Sequence, residues 1–338
     1  MNGTEFQSVH EAFERFEREV VRVPKAENDE AKRVHPKIRE TLERELPDHL
    51  ETFLSGSYGR RVQAVRLKDI DIIVVLDDPD EEFAASAGAA LDAIRRAARE
   101  SELVRGTEKR KRSVRLTLHD HEFTVDLVAA LEPPEGTDGL LLARHLPEEG
   151  LDDWTLGHPR GQLQAAIDKN HHTEGIYIPS VRLVKYWLGS VWGEKRPFRS
   201  YHAESVLHGA LTERVDFDAA MVLFFDAAYE ALAPGMRTPD PGAPHTYVDE
   251  RLDPGERALA REAVRRAREA AHAAFDKEDV GEALDGWVEV FGPAFPAPST
   301  SPEQVAASMA ARTAGVVGAG IRADRGRPVI EARPWRGR

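Results

Sequence analysis

Apolar positions at the start of the chain recur at three- and four-residue steps. Phe6, Val9, Phe13, Phe16 and Val20 follow this spacing, which predicts an amphipathic helix. Asn28 is placed to cap a second helix, whose stripe runs through Ala31, Val34, Ile38, Leu42 and Leu46 until Pro47 ends it. The period then shortens to two. Residues 50–54 read as a short strand entering GSYGRR, a turn with two glycines, and DIDIIVVL (69–76) reads as a central strand. An alanine-rich helix covers 84–101. Val114, Leu116 and Leu118 alternate with polar residues, and after a turn at 119–122 so do Phe123, Val125 and Leu127, which predicts a β-hairpin. Glycines and prolines in 136–160 suggest a loop joining two halves. From about 155 the pattern turns helical, in QLQAAIDKN, SVRLVKYWLGSVW, AESVLHGAL, DAAMVLFFDAAYEAL and GERALAREAVRRAREAAHAAF. The last forty residues read as a flexible basic tail. The expected fold class is α+β, with three segments. Residues 1–150 form a mixed β-sheet with flanking and N-terminal helices, 151–297 a helical bundle, and 298–338 the tail.

Composition removes several function classes. No run of about eighteen apolar residues offers a membrane-spanning helix, and the acidic, amphipathic start lacks the layout of a signal peptide. The chain has no cysteine, which excludes disulfides, thiolate zinc sites and cysteine nucleophiles. A cytoplasmic protein is expected. The net charge of −13 weighs against a polynucleotide partner, which needs a basic face to neutralise phosphates. Small nucleotides carry no such requirement.

The chemistry concentrates in the β-rich half. Side chains alternate along a strand, so Asp69 and Asp71 share one face while Ile70 and Ile72 take the other. Adjacent carboxylates repel, and a divalent cation between them removes the penalty; hard oxygen ligands suit Mg²⁺ or Mn²⁺. Solvated strand-end acids beside Lys68 would explain the pair equally well. The preceding turn changes the balance, because Gly56, Ser57 and Gly59 allow close backbone approach to a triphosphate and Ser57 adds a hydroxyl donor. A third acid, Asp126, sits within the apolar strand FTVDLV, where an unpaired carboxylate is costly. Phosphoryl transfer with two metals places the ions about 4 Å apart, one at the donor triphosphate and one at the attacking hydroxyl. Three carboxylates can bridge both, and Asp126 could take the hydroxyl's proton.

These residues resemble a known superfamily. GS…DID…VDL is similar to the polymerase-β-like nucleotidyltransferases. SVRLVKYWLGSVW followed by FRSYHAESVL resembles the second domain shared by 2′-5′ oligoadenylate synthetases, archaeal CCA-adding enzymes and the bacterial CD-NTases. LDGWVEVFGPAFP (284–296) resembles the ending of the CD-NTases, prokaryotic relatives of cyclic GMP-AMP synthase that make cyclic di- or trinucleotide messengers in CBASS anti-phage defence. The resemblance covers about 30–297. It implies a polymerase-β-like core with a C-terminal helical bundle and the active site in the cleft between them. It also implies two Mg²⁺ ions on Asp69, Asp71 and Asp126, with Gly56 and Ser57 at the donor phosphates. Lys185 and Ser200 would meet the triphosphate and Tyr201 would stack on a base. The implied substrates are nucleoside triphosphates, a regulatory protein is a candidate partner, and the chain is expected to act as a monomer without membrane or polynucleotide binding. Glu204, one turn beyond Tyr201, is expected to orient its helix.

One departure stands out. Where the family commonly reads GS-x-x-x-G-T, this chain has Arg61 and Val62 in place of the glycine and threonine, and Arg60 or Arg61 could supply charge to the phosphates instead. Of the remaining features, KRKRS (109–113) reads as a solvated hairpin edge or, as the second reading, a surface for a polyanionic partner, and His202 is a further candidate nucleotide contact. Three functions compete: a cyclic-oligonucleotide synthase, a nucleotidyltransferase acting on an RNA or tRNA end or another acceptor, and an inert nucleotide-binding scaffold.

Overall fold

The computed structural model describes residues 6–298 except 48, 79 and 194, together with 300, 303, 304, 306, 307 and 310. The expected tail lies almost wholly outside the described residues. Strands β1 (His49–Ser55), β2 (Asp69–Leu76), β3 (Val104–Lys109), β4 (Ser113–Leu118) and β5 (Thr124–Leu131) form a mixed sheet in the order β1-β2-β5-β4-β3. β2 and β5 are parallel, and the other pairings are antiparallel. Every second residue of β2 (Ile70, Ile72, Val74, Leu76) is buried with Val125 and Leu127 of β5. They meet the apolar stripes of α2 (Lys25–Glu45) and of α5 (Ala87–Ala98), which follows the short α4 (Glu82–Ala85). This packing commits the sheet's other face, where the acids lie, to the cleft.

Two expectations about elements are corrected. The second helix begins at Lys25 behind Pro24, not at Asn28, whose side-chain amide instead donates to the Val23 carbonyl at 3.3 Å. The stretch 136–160 is not a loop. It contains β6 (Leu140–Leu146) and β7 (Leu151–Gly157), a hairpin that joins the sheet through Ala130–Leu142 and Leu131–Leu141. The boundary expected at 150 therefore falls inside a hairpin turn.

The second core is helical. α7 (Tyr177–Trp192), α8 (Ser200–Ala210), α9 (Phe217–Ala231), α10 (Pro254–Phe275) and α11 (Val280–Phe291) pack around Trp187, Phe224 and Phe225. The first helix, α1 (Val9–Phe16), joins this core and not the sheet. Phe13 meets Trp287, Phe291 and Phe295 with ring centroids 5.0, 5.6 and 4.8 Å apart, and Phe16 meets Tyr186 at 4.9 Å. The W…FG…FP ending is thus an aromatic anchor that clasps the N-terminal helix. Among the described residues no helix is long and apolar enough to cross a membrane.

Candidate active site

The acids stand in one lateral row of the sheet. Strand register places Ser55 beside Asp71, Asp71 beside Asp126, Asp126 beside Arg115 and Arg115 beside Glu108. Asp69 lies one step along β2 on the same face. Asp126 is 7% exposed, the deepest of the three acids. Burial first, and then the charges of Asp69 and Asp126, push the Asp71 carboxyl up to about 6. That mutual repulsion is the strain a bound cation would relieve.

The glycine–serine turn folds as α3 (Gly56–Gly59), a single helical turn laid against β2. Gly56 has φ +58°, and a Cβ there would stand 1.8 Å from Asp71 Oδ2. Gly59 is confined too, since a Cβ would come within 2.7 Å of the Leu54 carbonyl oxygen. The two glycines therefore let the turn sit directly on a carboxylate, with half-buried Ser57 between them.

Asp126 does not wait unpaired. Arg115 forks onto it, with Nε 3.0 Å from Oδ1 and Nη2 2.5 Å from Oδ2. Reading β4 from its apolar alternation overlooked this residue, although a hairpin turned at 119–122 places Arg115 opposite Asp126 and on its face. Among the described residues no three His, Cys, Asp or Glu side chains converge into a preformed metal cluster. The donor set fits a hard divalent cation nonetheless: three carboxylates on two neighbouring strands, one of them held against its charge by the others.

The helical half supplies the facing wall. Lys185 on α7 is within electrostatic reach of Glu204, Arg60, Arg196 and Asp69, and burial draws its ammonium down to about 8. Arg196 Nη1 lies 3.2 Å from the Ser200 hydroxyl at the start of α8. Tyr201 is already engaged. The Arg60 guanidinium covers its ring at 4.8 Å, and its hydroxyl donates to Asp240 Oδ1 at 2.6 Å. His202 turns inward, bonded to the Thr238 hydroxyl at 2.9 Å and edge-on to Phe198. Burial pulls it down to about 4, so it is neutral and occupied by the protein.

The departure at positions 61 and 62 has a structural account. Arg61 adopts φ +61°, the left-handed conformation that glycine reaches without strain. Its carbonyl accepts from Arg182 Nε at 3.0 Å and Nη2 at 2.7 Å. Val62 is fully buried in the helical core. Of the two arginines that could supply charge instead, Arg61 is exposed and Arg60 is paired with Glu204 at 2.7 and 3.2 Å. The KRKRS run behaves as a hairpin edge, with Lys109 on Asp92 at 2.9 Å and Arg110 on Glu108.

No protein-family model matches the chain. Over 283 residues, 78% of its length and 77% of the relative's, it is 24% identical to the cyclic AMP-AMP-AMP synthase of an Acinetobacter strain. It is 28% identical over 162 residues to the cyclic AMP-AMP-GMP synthase of Enterobacter hormaechei, a match that spans 42% of that relative. The Escherichia coli CdnC in a complex with HORMA-deltaN superposes with a TM-score of 0.68 at 21% identity, covering 87% of this chain and 99% of that one. The chain has the CD-NTase fold. Other structures of this fold agree. Vibrio cholerae DncV, a cyclic AMP-GMP synthase bound to a linear pppA(3′,5′)pG intermediate, gives 0.66 at 13% identity over 88% of this chain and 98% of that one.

Proposed function

We propose that this protein is a template-independent nucleotidyltransferase that joins nucleoside triphosphates into a cyclic oligonucleotide, releasing pyrophosphate at each transfer. The observation that carries the reading is the row Asp71–Asp126 with Asp69 beside it, capped by a glycine turn that touches Asp71. The likeness of the whole chain to cyclic-oligonucleotide synthases supports the product class.

Asp69, Asp71 and Asp126 would hold two Mg²⁺ ions, which when bound neutralise triphosphate charge and acidify the attacking hydroxyl. The chain's own groups divide the remaining work. The amides of the Gly56–Gly59 turn and the Ser57 hydroxyl donate to the donor phosphates. Lys185 adds a positive charge where the pyrophosphate leaves, and Ser200 adds a hydroxyl beside Arg196. Asp126, once Arg115 has withdrawn, stands in line to accept the proton of the acceptor hydroxyl. One oxygen–phosphorus bond forms at the α-phosphate as the bond to pyrophosphate breaks; the transfer repeats for each linkage, and the last one, back onto the first nucleotide, closes a ring. In this reading the product is a second messenger of the anti-phage kind made by the family it resembles.

The competing acceptor, an RNA end, would need a basic track across both halves. The chain carries 59 acidic against 46 basic residues, and the conspicuous basic run at 109–113 is partly spent on Asp92 and Glu108. Recovery of a phosphatase-resistant product from labelled triphosphates tests the proposal directly.

A further inference from the structure

Each half of the molecule has its own apolar core, so neither needs a buried charge to fold. Yet one ion pair is buried between them. Arg60 caps the glycine–serine turn, its N–H reaching back to the Gly56 carbonyl at 3.3 Å. Its guanidinium forks onto Glu204 of α8, and the two side chains are only 9% and 3% exposed. Such a pair contributes little net stability, because desolvating both charges offsets most of their attraction. Its geometry is what it offers, since a forked arginine fixes distance and angle together.

The pair sits at a junction. On the sheet side Arg60 is in the peptide chain three residues from Ser57, and its charge acts on Asp71. On the helical side Glu204 draws in Lys185 and lies one turn beyond Ser200 and Tyr201. The guanidinium also rests on the Tyr201 ring, whose hydroxyl continues through Asp240 to Gln162 of α6 (Pro159–His172), with Gln162 Nε2 2.8 Å from Asp240 Oδ2. Asp240 is steadied further by the Gly242 amide at 2.8 Å.

We propose that the Arg60–Glu204 pair is the positioning device of this site, locking the phosphate-binding turn to the helix that carries Ser200 and Tyr201 so that both walls meet one triphosphate in register. This rests on the nucleotidyltransferase reading above. Arg60 acts through Ser57 and Asp71, and Glu204 acts through Lys185 and α8; neither needs to touch the nucleotide. A small misplacement of the turn then costs turnover more than binding, because the α-phosphate must lie in line with the attacking hydroxyl.

The test compares the full-length wild type with Arg60→Met/Glu204→Leu, which removes both charges together and avoids stranding one. Three quantities are read: the dissociation constant of a nonhydrolysable ATP analogue, pyrophosphate release at saturating triphosphates, and hydrogen exchange of the 56–62 amides with and without that analogue. The expected result is affinity within roughly threefold of wild type and release reduced by roughly thirtyfold or more. Exchange at 56–62 should be faster and no longer slowed by the analogue. Arg60→Lys, which keeps the charge and loses the fork, should likewise slow release and quicken exchange at near wild-type affinity, and decides the matter should the double variant fail to fold. Wild-type release together with wild-type exchange in a folded variant would overturn the proposal. A wild-type protein that releases no pyrophosphate would defeat the nucleotidyltransferase reading alone, and the exchange comparison would still decide the pair.

Discussion

Arg115 holds Asp126 in a two-point grip across the β4–β5 pairing, so the deepest acid of the site is neutralised by a neighbour on the adjacent strand. Burial of Asp126 makes such a counter-charge necessary whenever no cation is present. On the proposed reading, arginine and metal would compete for the same oxygens. Arg115→Ala should therefore lower the metal-free thermal stability by about 1–2 kcal/mol, a value reduced from that of a fully buried pair because Arg115 is itself partly exposed. It should also tighten Mg²⁺ binding several-fold, which calorimetry with Mg²⁺ alone can measure. Unchanged or weaker metal binding would contradict the competition.

Asp71 gives the site a pH signature. Its carboxyl is raised to about 6 from an ordinary value near 4, by burial and by its two acidic neighbours. The folded state therefore holds this proton more tightly than the unfolded chain. The resulting stabilisation is fully present below about pH 4 and is lost as pH rises through 6. Between pH 7 and pH 5 the metal-free protein should gain stability at this site, and Asp71→Asn should flatten that gain. The same variant should lose activity by about a thousandfold or more while melting no lower than wild type in the absence of metal. A large fall in its melting temperature would indicate that the acids are structural.

Lys185 titrates on the opposite side of neutrality. Burial lowers it to about 8, so its positive charge fades as pH rises through that value. Triphosphate affinity should decline above pH 8 in the wild type, and the decline should be absent in Lys185→Ala, whose affinity is already reduced. A fluorescent triphosphate titrated at several pH values reads both.

Much of this site was legible before any coordinates. The period-two run at 69–76 put Asp69 and Asp71 on one face, and the predicted hairpin put Asp126 beside an apolar core; local periodicity determines both. Tyr201 was not legible in the same way. Its ring is engaged by Arg60, whose approach depends on how the two halves dock, and its hydroxyl by Asp240, 39 residues further along the chain. The β6–β7 hairpin was missed for another reason. Its strands are flanked by Gly136, Gly139, Gly150 and Pro147, and the first of them, LLLARHL, has no period-two alternation to mark it as a strand. The role of the W…FG…FP ending as a clasp on α1 likewise depends on tertiary packing, because Phe13 and Phe291 lie at opposite ends of the described chain.

Arg61 offers a simple check on the backbone. A non-glycine residue held at φ +61° carries strain of about 1 kcal/mol, which here is offset by the Arg182 hydrogen bonds to its carbonyl. Arg61→Gly restores the glycine that the family pattern carries. It should leave the melting temperature unchanged or raise it by a few degrees, since relief of strain outweighs the greater freedom of the unfolded chain. Arg61→Val should lower it, because a β-branched residue is poorly tolerated in this conformation.

If the three aspartates serve ring closure between nucleotides, removing two of them removes one specific product. Purified full-length protein is incubated with all four labelled nucleoside triphosphates and Mg²⁺, treated with phosphatase, and resolved by chromatography alongside the Asp69→Asn/Asp71→Asn variant. The account predicts a labelled product that resists phosphatase, because its phosphates are locked in linkages, and that is absent from the variant. Complete conversion to nucleosides by phosphatase, with label transferred instead to added tRNA, would contradict it.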